Sequence, residues 1–385
     1  MTLVSYKYRL YPNKEQREYF AKVFGCVRFV YNKMLEDSER YYQIEGKRLA
    51  TNPSSYKDEF PFLREVDSSA LSNAKMSLDY AYTRFFRKET NRPRFKSKKD
   101  HFCSYSTNML RNNIRTEGSY IRLPKIKFVK MKMHRPFTGT IKKATVTRTP
   151  SGDHFVILLV ETEIEKLPTA DKKIGIDVGV INLISGSDGT IIENVRSYNK
   201  YKRKLARENR RMARKMRGGK NKEKQRIKLA KVYRKITNVR TDFLHKVSRK
   251  IVNENQVIAC ENLVINDIMK GNRFGRRDVM DSAWSTFIRF LRYKSERYGR
   301  QFVKVDQFFP SSQLCSECGY RNQDIRGINI KKWTCPHCGS IHQRDINAGK
   351  NILREGERLI KMAEELGDKK VLSASKGVIY IDITA

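Results

Sequence analysis

Apolar and polar positions alternate at the start of the chain. Tyr6, Tyr8 and Leu10 fall on one side, Lys7 and Arg9 on the other, and Tyr11-Pro12-Asn13 closes the run, which predicts a short strand. The period then changes. Phe20, Val23, Phe24, Val27, Val30, Tyr31 and Leu35 recur at three- and four-residue spacing, which predicts helix from Lys14 to about Gly46, with Gly25 read as a break between two helices of a hairpin. Asn52-Pro53-Ser54-Ser55 is a loop. A further helix starts near Ser68, with Asp67, Ser68 and Ser69 as caps and Leu71, Leu78, Ala81 and Phe85 along its apolar face. The stretch 92–99 ends that helix as a basic linker. Residues 102–165 return to short strand-like runs, among them Ile121-Arg122-Leu123, Ile126-Lys127-Phe128 and the apolar stretch at 154–158, separated by glycine and proline turns. With the N-terminal strand they predict a small β-barrel, and 165–170 reads as a linker into a second domain.

That second domain opens on Ile174-Gly175-Ile176-Asp177-Val178-Gly179, a strand running into glycines, followed by strands near Leu183-Ile184-Ser185 and Thr190-Ile191-Ile192. From 199 to 254 the pattern is helical, with Val232, Ile236, Val239, Phe243, Val247 and Ile251 forming one stripe. Gly218-Gly219 divides it into an antiparallel pair. Val257-Ile258-Ala259-Cys260-Glu261 reads as a buried strand ending in a carboxylate. Trp284, Phe287, Ile288, Leu291 and Tyr298 mark a helix, and Gln301-Phe302-Val303-Lys304-Val305 is the last strand before a cysteine-rich segment. The expected class is α+β and multidomain.

Charge narrows the partners. The 385 residues carry a formal net charge of +39, an excess that repels itself unless a polyanion is bound. The charge is spread through folded-looking segments, which favours nucleic acid over a membrane surface or acidic protein. No apolar run approaches the ~18 residues of a membrane span, and the first residues lack the order of a secretory leader, so a cytoplasmic protein is expected. Acids are scarce in the basic helices (Glu208, Glu223, Asp242, Glu254), where a solvated face normally mixes both signs. Arg203, Lys204, Arg210, Arg211, Arg214 and Lys215 are therefore candidates for nucleic-acid contact, as are Arg94, Lys96, Lys98 and Lys99 of the linker. Ser72, Asn73, Lys75 and Arg84 form a polar helix face. It is either solvated or in contact with bases and backbone, and both readings stay open.

Of seven cysteines, Cys26, Cys103 and Cys260 are isolated beside apolar residues and read as small hydrophobes. Cys315-x2-Cys318 and Cys335-x2-Cys338, with sixteen residues between them, form two knuckles that complete a tetrahedral Zn²⁺ site. Gly319 and Gly339 follow the knuckles, where a left-handed turn helps. Four thiolates leave no open position, so the site is structural, and His337 and His342 are read as bystanders. The sharper signal is three acids at element junctions. Asp177 ends one strand, Glu261 ends another, and Asp345 begins a helix after the cysteines. Clustered carboxylates repel unless hard cations sit between them; Mg²⁺ takes oxygen ligands, and two such ions serve phosphodiester hydrolysis. No P-loop, G-x-S-x-G elbow or H-E-x-x-H motif is present.

Gly175-Ile176-Asp177-Val178-Gly179, Cys260-Glu261-Asn262-Leu263 and the run from Arg344-Asp345-Ile346-Asn347-Ala348-Gly349 to Lys350-Asn351-Ile352 resemble the three RuvC motifs of the TnpB family, transposon-encoded RNA-guided endonucleases related to type V CRISPR effectors. Phe309-Pro310-Ser311-Ser312-Gln313-Leu314-Cys315 is similar to that family's ribbon entry, and Tyr8-Arg9-Leu10-Tyr11-Pro12 and Pro93-Arg94-Phe95-Lys96 to its N-terminal signatures. The resemblance implies an oligonucleotide-binding-type barrel (wedge, 1–12 and 101–168) with an inserted helical recognition domain (13–100). It then implies an RNase H-like RuvC domain (169–385) with a basic helical insertion (196–254) and a zinc ribbon (310–342). It further implies a guide RNA from the transposon end, a double-stranded target DNA with a short protein-read motif, and Asp177, Glu261 and Asp345 as catalytic Mg²⁺ ligands; the oligomeric state stays open, with a monomer favoured. Asn262 and Gln343 depart from the family pattern, each standing where an aspartate is common. The competing readings are a guide-dependent DNA-binding regulator that no longer cuts, and a transposase that performs strand transfer.

Overall fold

The computed structural model describes residues 1–47, 49–263, 276–325, 330–365, 371–374 and 377–382, and divides the chain into two units, Met1–Glu163 and Ile164–Ala385. The strands of the first unit are β1 (Thr2–Tyr11), β2 (Cys103–Asn108), β3 (Arg115–Glu117), β4 (Tyr120–Leu123), β5 (Ile126–Lys132), β6 (Thr140–Arg148) and β7 (His154–Thr162). They form one antiparallel sheet in the order β2-β6-β7-β1-β5-β4-β3. The N-terminal strand sits in its middle, bonded to β7 over most of its length and to β5 at its end. The sheet is curled, with β2 and β3 as its two edges. On β7 every second side chain, from His154 through Val156, Leu158 and Val160 to Thr162, is buried, the alternation of a sheet with one face on the core.

Helices α1 (Lys14–Glu45), α2 (Tyr56–Glu59) and α3 (Ser68–Phe86) complete this unit's core. The expected break at Gly25 is absent: α1 is a single helix of 32 residues. Its apolar stripe continues without a phase change from Phe20 to Leu35, and burying that stripe outweighs the ~1 kcal/mol a mid-helix glycine costs. A reciprocal bond pair between Asn13 and Gln16 caps its start, and Gly46 ends it at φ 64°. Asp67 caps α3 and also accepts the Thr107 hydroxyl of β2 (2.6 Å), which ties the helix to the sheet edge.

In the second unit, β8 (Lys173–Asp177), β9 (Asn182–Gly186) and β10 (Ile191–Glu193) form an antiparallel meander. Helices α4 (Ser197–Ala213) and α5 (Lys220–Glu254) follow, with Gly218 at φ 85° in the turn between them. Then come β11 (Val257–Glu261), α6 (Arg276–Ser282), α7 (Trp284–Tyr298), β12 (Gln301–Val305), the hairpin β13 (Lys332–Thr334) and β14 (Ile341–Gln343), α8 (Arg344–Glu365), β15 (Val371–Ala374) and β16 (Gly377–Asp382). The sheet order is β10-β9-β8-β11-β12-β16-β15, with β11 parallel to both β8 and β12.

Two helical layers cover this sheet. Ile174, Ile176, Ile258, Cys260 and Phe302 point to α5 and α7, while Val257, Ala259, Val303 and Val305 point to α8. The basic pair α4–α5 closes on Leu205, Val232 and Ile236, and Gln225 bonds the buried Glu208 carboxylate (2.7 Å). The pair ends inside α5, because Leu244, Val247, Ile251 and Val252 already belong to the core beneath the sheet. Asp281 of α6 fixes the start of α4 by accepting the Ser197 hydroxyl and the Tyr198 N–H (2.7 and 2.8 Å). Residues 264–275, within the expected RuvC domain, and 326–329, within the expected ribbon, lie outside the described residues. Among the described residues no helix is long and apolar enough to cross a membrane.

Candidate functional site

The register of two parallel strands brings the first two acids together. Cys260 pairs with Ile176, so Glu261 stands one step on, level with Asp177, on strands ~4.8 Å apart. Side chains alternate along a strand, so Asp177 and Glu261 share the face of Gly175 and Ala259, which is the α8 face. Two glycines bring α8 close to it. A Cβ on Gly175 would lie 2.0 Å from the Gly349 carbonyl oxygen, and one on Gly356 would lie 2.6 Å from the Ala259 Cβ. Asp345 occupies the first turn of this helix.

The electrostatics record the convergence. The Asp177 carboxyl is pushed well above the ordinary carboxylate range, first by burial, then by the negative charges of Glu261 and Asp345, with Arg344 and Lys331 opposing. Burial also raises Glu261, while the Ser311 hydroxyl, donating to its Oε1 at 2.8 Å, pulls the other way. Lys331 donates to Asp345 (3.2 Å). The charges of Glu261 and Asp345 raise the proton affinity of Asp177, and carboxylate oxygens are the donors a hard divalent cation takes.

The cysteines meet as their spacing predicts. All four sulfurs lie within 4.8 Å of one another, with Cys315–Cys338 at 3.6 Å and Cys318–Cys335 at 3.7 Å. A tetrahedron at ~2.3 Å Zn–S has edges of ~3.8 Å, so the cluster fits such an ion. Gly319 and Gly339 take φ of 77° and 73°, and each donates its N–H to the first cysteine of its knuckle at 2.9 Å. His342, expected to stand outside the metal's ligand set, packs directly against the cluster. It is buried with Nε2 3.0 Å from Cys315 Sγ, beside Trp333.

The expected nucleic-acid contacts separate into two groups. Arg203, Lys204, Arg210, Arg211, Arg214 and Lys215 are exposed, as are Arg94, Lys98, Lys99 and Ser72. Asn73 is buried and donates to the Ser69 carbonyl (2.8 Å), so it is not on the surface expected of it. Lys75 pairs with Asp79 (2.7 Å). Lys96 is exposed but holds its ammonium 3.8 Å from the Tyr31 ring centroid, while Asn32 bonds its backbone at both N–H and C=O. Sequence reasoning gave no role to Ser311, Lys331, Asn347 or Asn351. The two asparagines, one helical turn apart in an amphipathic helix, were the visible signal, since asparagine is a poor helix former.

The comparisons put the chain in a class of proteins carried by mobile elements. Residues 155–272 match the family model described as "Probable transposase", 284–352 the one described as "Cas12f1-like, TNB domain", and 1–47 a "Helix-turn-helix domain". The chain belongs to the TnpB (IS605 OrfB) family. A Streptomyces pristinaespiralis protein named "Putative RNA-guided DNA endonuclease" is 36% identical over 365 residues, covering 91% of this chain and 89% of its own. A like-named Escherichia coli K12 protein is 28% identical over 385 residues, covering 94% of each. Among solved structures, a Cas12f1–sgRNA–target DNA complex aligns with TM-score 0.57 and 16% identity over 88% of this chain and 83% of that one, which extends the likeness to the fold.

Proposed function

We propose that this protein is a transposon-encoded, RNA-guided endonuclease that cuts DNA with Mg²⁺ held by Asp177, Glu261 and Asp345. The observation that supports the reading is that Glu261 stands level with Asp177 on the neighbouring strand, and that Glu261 and Asp345 both add to the proton affinity of Asp177. A meander followed by two parallel strands, with helices on both faces, is the order expected of an RNase H-like core, and the first unit, a curled antiparallel sheet with two edges packed by helices, takes the part of the wedge and its helical insertion in this reading. The relatives' names support the guided reaction.

When bound, the divalent ions supply the charge that activates the attacking water and stabilises the departing oxygen of a phosphodiester. Ser311 holds one Glu261 oxygen, which fixes the direction of the other. Lys331 and Arg344 place positive charge beside the acids, where an incoming phosphate backbone is drawn in and oriented. The exposed cations of α4 and the 92–99 linker bind guide RNA and the strands of target DNA through phosphates, without reading sequence. The four-cysteine cluster holds one structural Zn²⁺, its thiolates filling every position.

Purification with sequencing of the bound RNA, followed by cleavage of DNA complementary to that RNA, tests the proposal. Cutting that requires Mg²⁺ and vanishes in Asp177→Ala is expected. A complex that binds matched DNA but never cuts it would replace the reading with that of a guided regulator, and strand joining would favour a transposase.

A further inference from the structure

The segment entering the cysteine cluster touches both candidate metal sites. Ser311 is buried and donates to Glu261 Oε1 at 2.8 Å, and four residues later Cys315 supplies the first sulfur. The segment is a run of turns held locally by backbone bonds such as Ser311 N–H to Phe309 and Cys315 N–H to Tyr320, with one β-bridge of Leu314 to Arg321. Its tie to the helical layer of the nuclease sheet comes from α8. Asn351 donates to the carbonyls of Ser311 and Leu314, each at 2.8 Å. One turn earlier, Asn347 donates to the Leu314 carbonyl (2.7 Å) and accepts the Ser316 N–H (2.9 Å). Both asparagines are at most 3% exposed. Buried amides with this many partners are held in one orientation, since losing any partner strands a polar group away from water. They project from the helix whose first turn carries Asp345.

We propose that residues 311–316 form a strap, clamped by Asn347 and Asn351 of α8, that positions Glu261 through the Ser311 hydroxyl and joins the zinc ribbon to the nuclease centre. This rests on the reading of Asp177, Glu261 and Asp345 as the divalent-ion site. Ser311 and Asn351 are positioning residues: Ser311 acts through its bond to Glu261, and Asn351 acts through Ser311. The carboxylate they hold needs one defined rotamer to present its free oxygen to a cation shared with Asp177. The arrangement gives the ribbon a purpose beyond stapling, because the sulfur ligand Cys315 and the support of Glu261 lie on one short piece of chain.

The test uses the full-length protein with its copurifying RNA and Mn²⁺ as the probe, bound ion being read by electron paramagnetic resonance. Zinc content and melting midpoint are measured on the same samples. Ser311→Ala and Asn351→Leu are expected to keep their zinc while losing roughly tenfold or more in Mn²⁺ affinity, the usual effect of removing the group that orients a metal ligand. Ser311→Thr, which retains the hydroxyl, is expected to recover most of that loss. Wild-type Mn²⁺ affinity in Ser311→Ala overturns the inference, and so does a Ser311→Thr variant as weak as Ser311→Ala. If Asn351→Leu loses zinc or melts early, the Ser311 pair decides alone, each variant being one heavy atom from wild type. Asp177→Ala separates the two ideas. If it binds Mn²⁺ normally, the site reading fails and the strap with it; if it loses the ion while Ser311→Ala keeps it, only the strap fails.

Discussion

Gly175→Ala perturbs the structure by one methyl group at the point where α8 lies closest to the sheet. The new Cβ would sit 2.0 Å from the Gly349 carbonyl oxygen, 2.6 Å from the Leu353 nitrogen and 2.8 Å from the Leu353 Cβ. Two of the three are backbone atoms, so no rotamer change relieves the clash. Non-bonded contacts settle near ~3.5 Å, so helix and strand must separate by about 1.5 Å. Overpacking of this kind costs about 1–3 kcal/mol, and rigid neighbours put it at the upper end. A domain stable by ~5–15 kcal/mol stays folded through such a loss. The active geometry does not survive it so well. Asp345 lies one turn above Gly349 and moves with the helix, and ~1 Å of misplacement costs on the order of 10²-fold in rate. The assay pairs urea unfolding with single-turnover cleavage at saturating Mg²⁺. The midpoint should fall by the equivalent of about 3 kcal/mol while most molecules remain folded, and cleavage should fall far more than the unfolded fraction explains. Gly25→Ala is the internal contrast: its Cβ meets nothing within 4 Å in mid-helix, and about 0.5–1 kcal/mol of stabilisation is expected. A Gly175→Ala protein with wild-type midpoint and rate would refute the close approach of α8 to β8.

Further outcomes follow from other parts of the molecule. His154 is buried against Phe20, and burial, with Arg148 and Arg17 nearby, lowers its pKa to about 4. The unfolded chain therefore takes up this proton first, so stability should decline as pH falls from ~6.5 to ~4, by up to about 3 kcal/mol, and His154→Phe should flatten that part of a denaturation-versus-pH curve. Loading and chelating zinc at the proposed site should shift the fluorescence of Trp333, which packs with Cys315 and Cys335, and a Trp284→Phe background isolates the signal; a spectrum indifferent to zinc would contradict the ribbon reading. Replacing Arg203, Lys204, Arg210 and Arg211 with glutamine should reduce the slope of log K against log salt for the bound RNA by up to about 3, at ~0.7 per phosphate contact on a single strand. An unchanged slope would place the RNA elsewhere.

What the sequence made legible is what depends on local periodicity and fixed spacing. Alternation placed β1, short apolar runs placed β7, β9, β11 and β12, and paired C-x-x-C knuckles with following glycines placed the cysteine cluster, because each is written within a few residues. Asp177 and Glu261 stood out as acids at the ends of apolar strands. The Gly25 break was misread because local glycine cost was weighed without the continuous buried stripe that overrides it. Asn73 was assigned to a surface because helical phase does not show which polar side chain the neighbouring strand end covers; it lies 3.4 Å from Asn108. The Ser311–Glu261 and Asn351–Ser311 bonds join residues 50 and 40 positions apart, and no periodicity encodes partners at that distance.

Anomalous diffraction from crystals of the complex soaked in Mn²⁺ tests the central claim most directly. Manganese density in contact with carboxylate oxygens of Asp177, Glu261 and Asp345 together, and its disappearance in Asp177→Ala, is the result this account predicts. Density at other residues, or manganese retained there in Asp177→Ala, would contradict it.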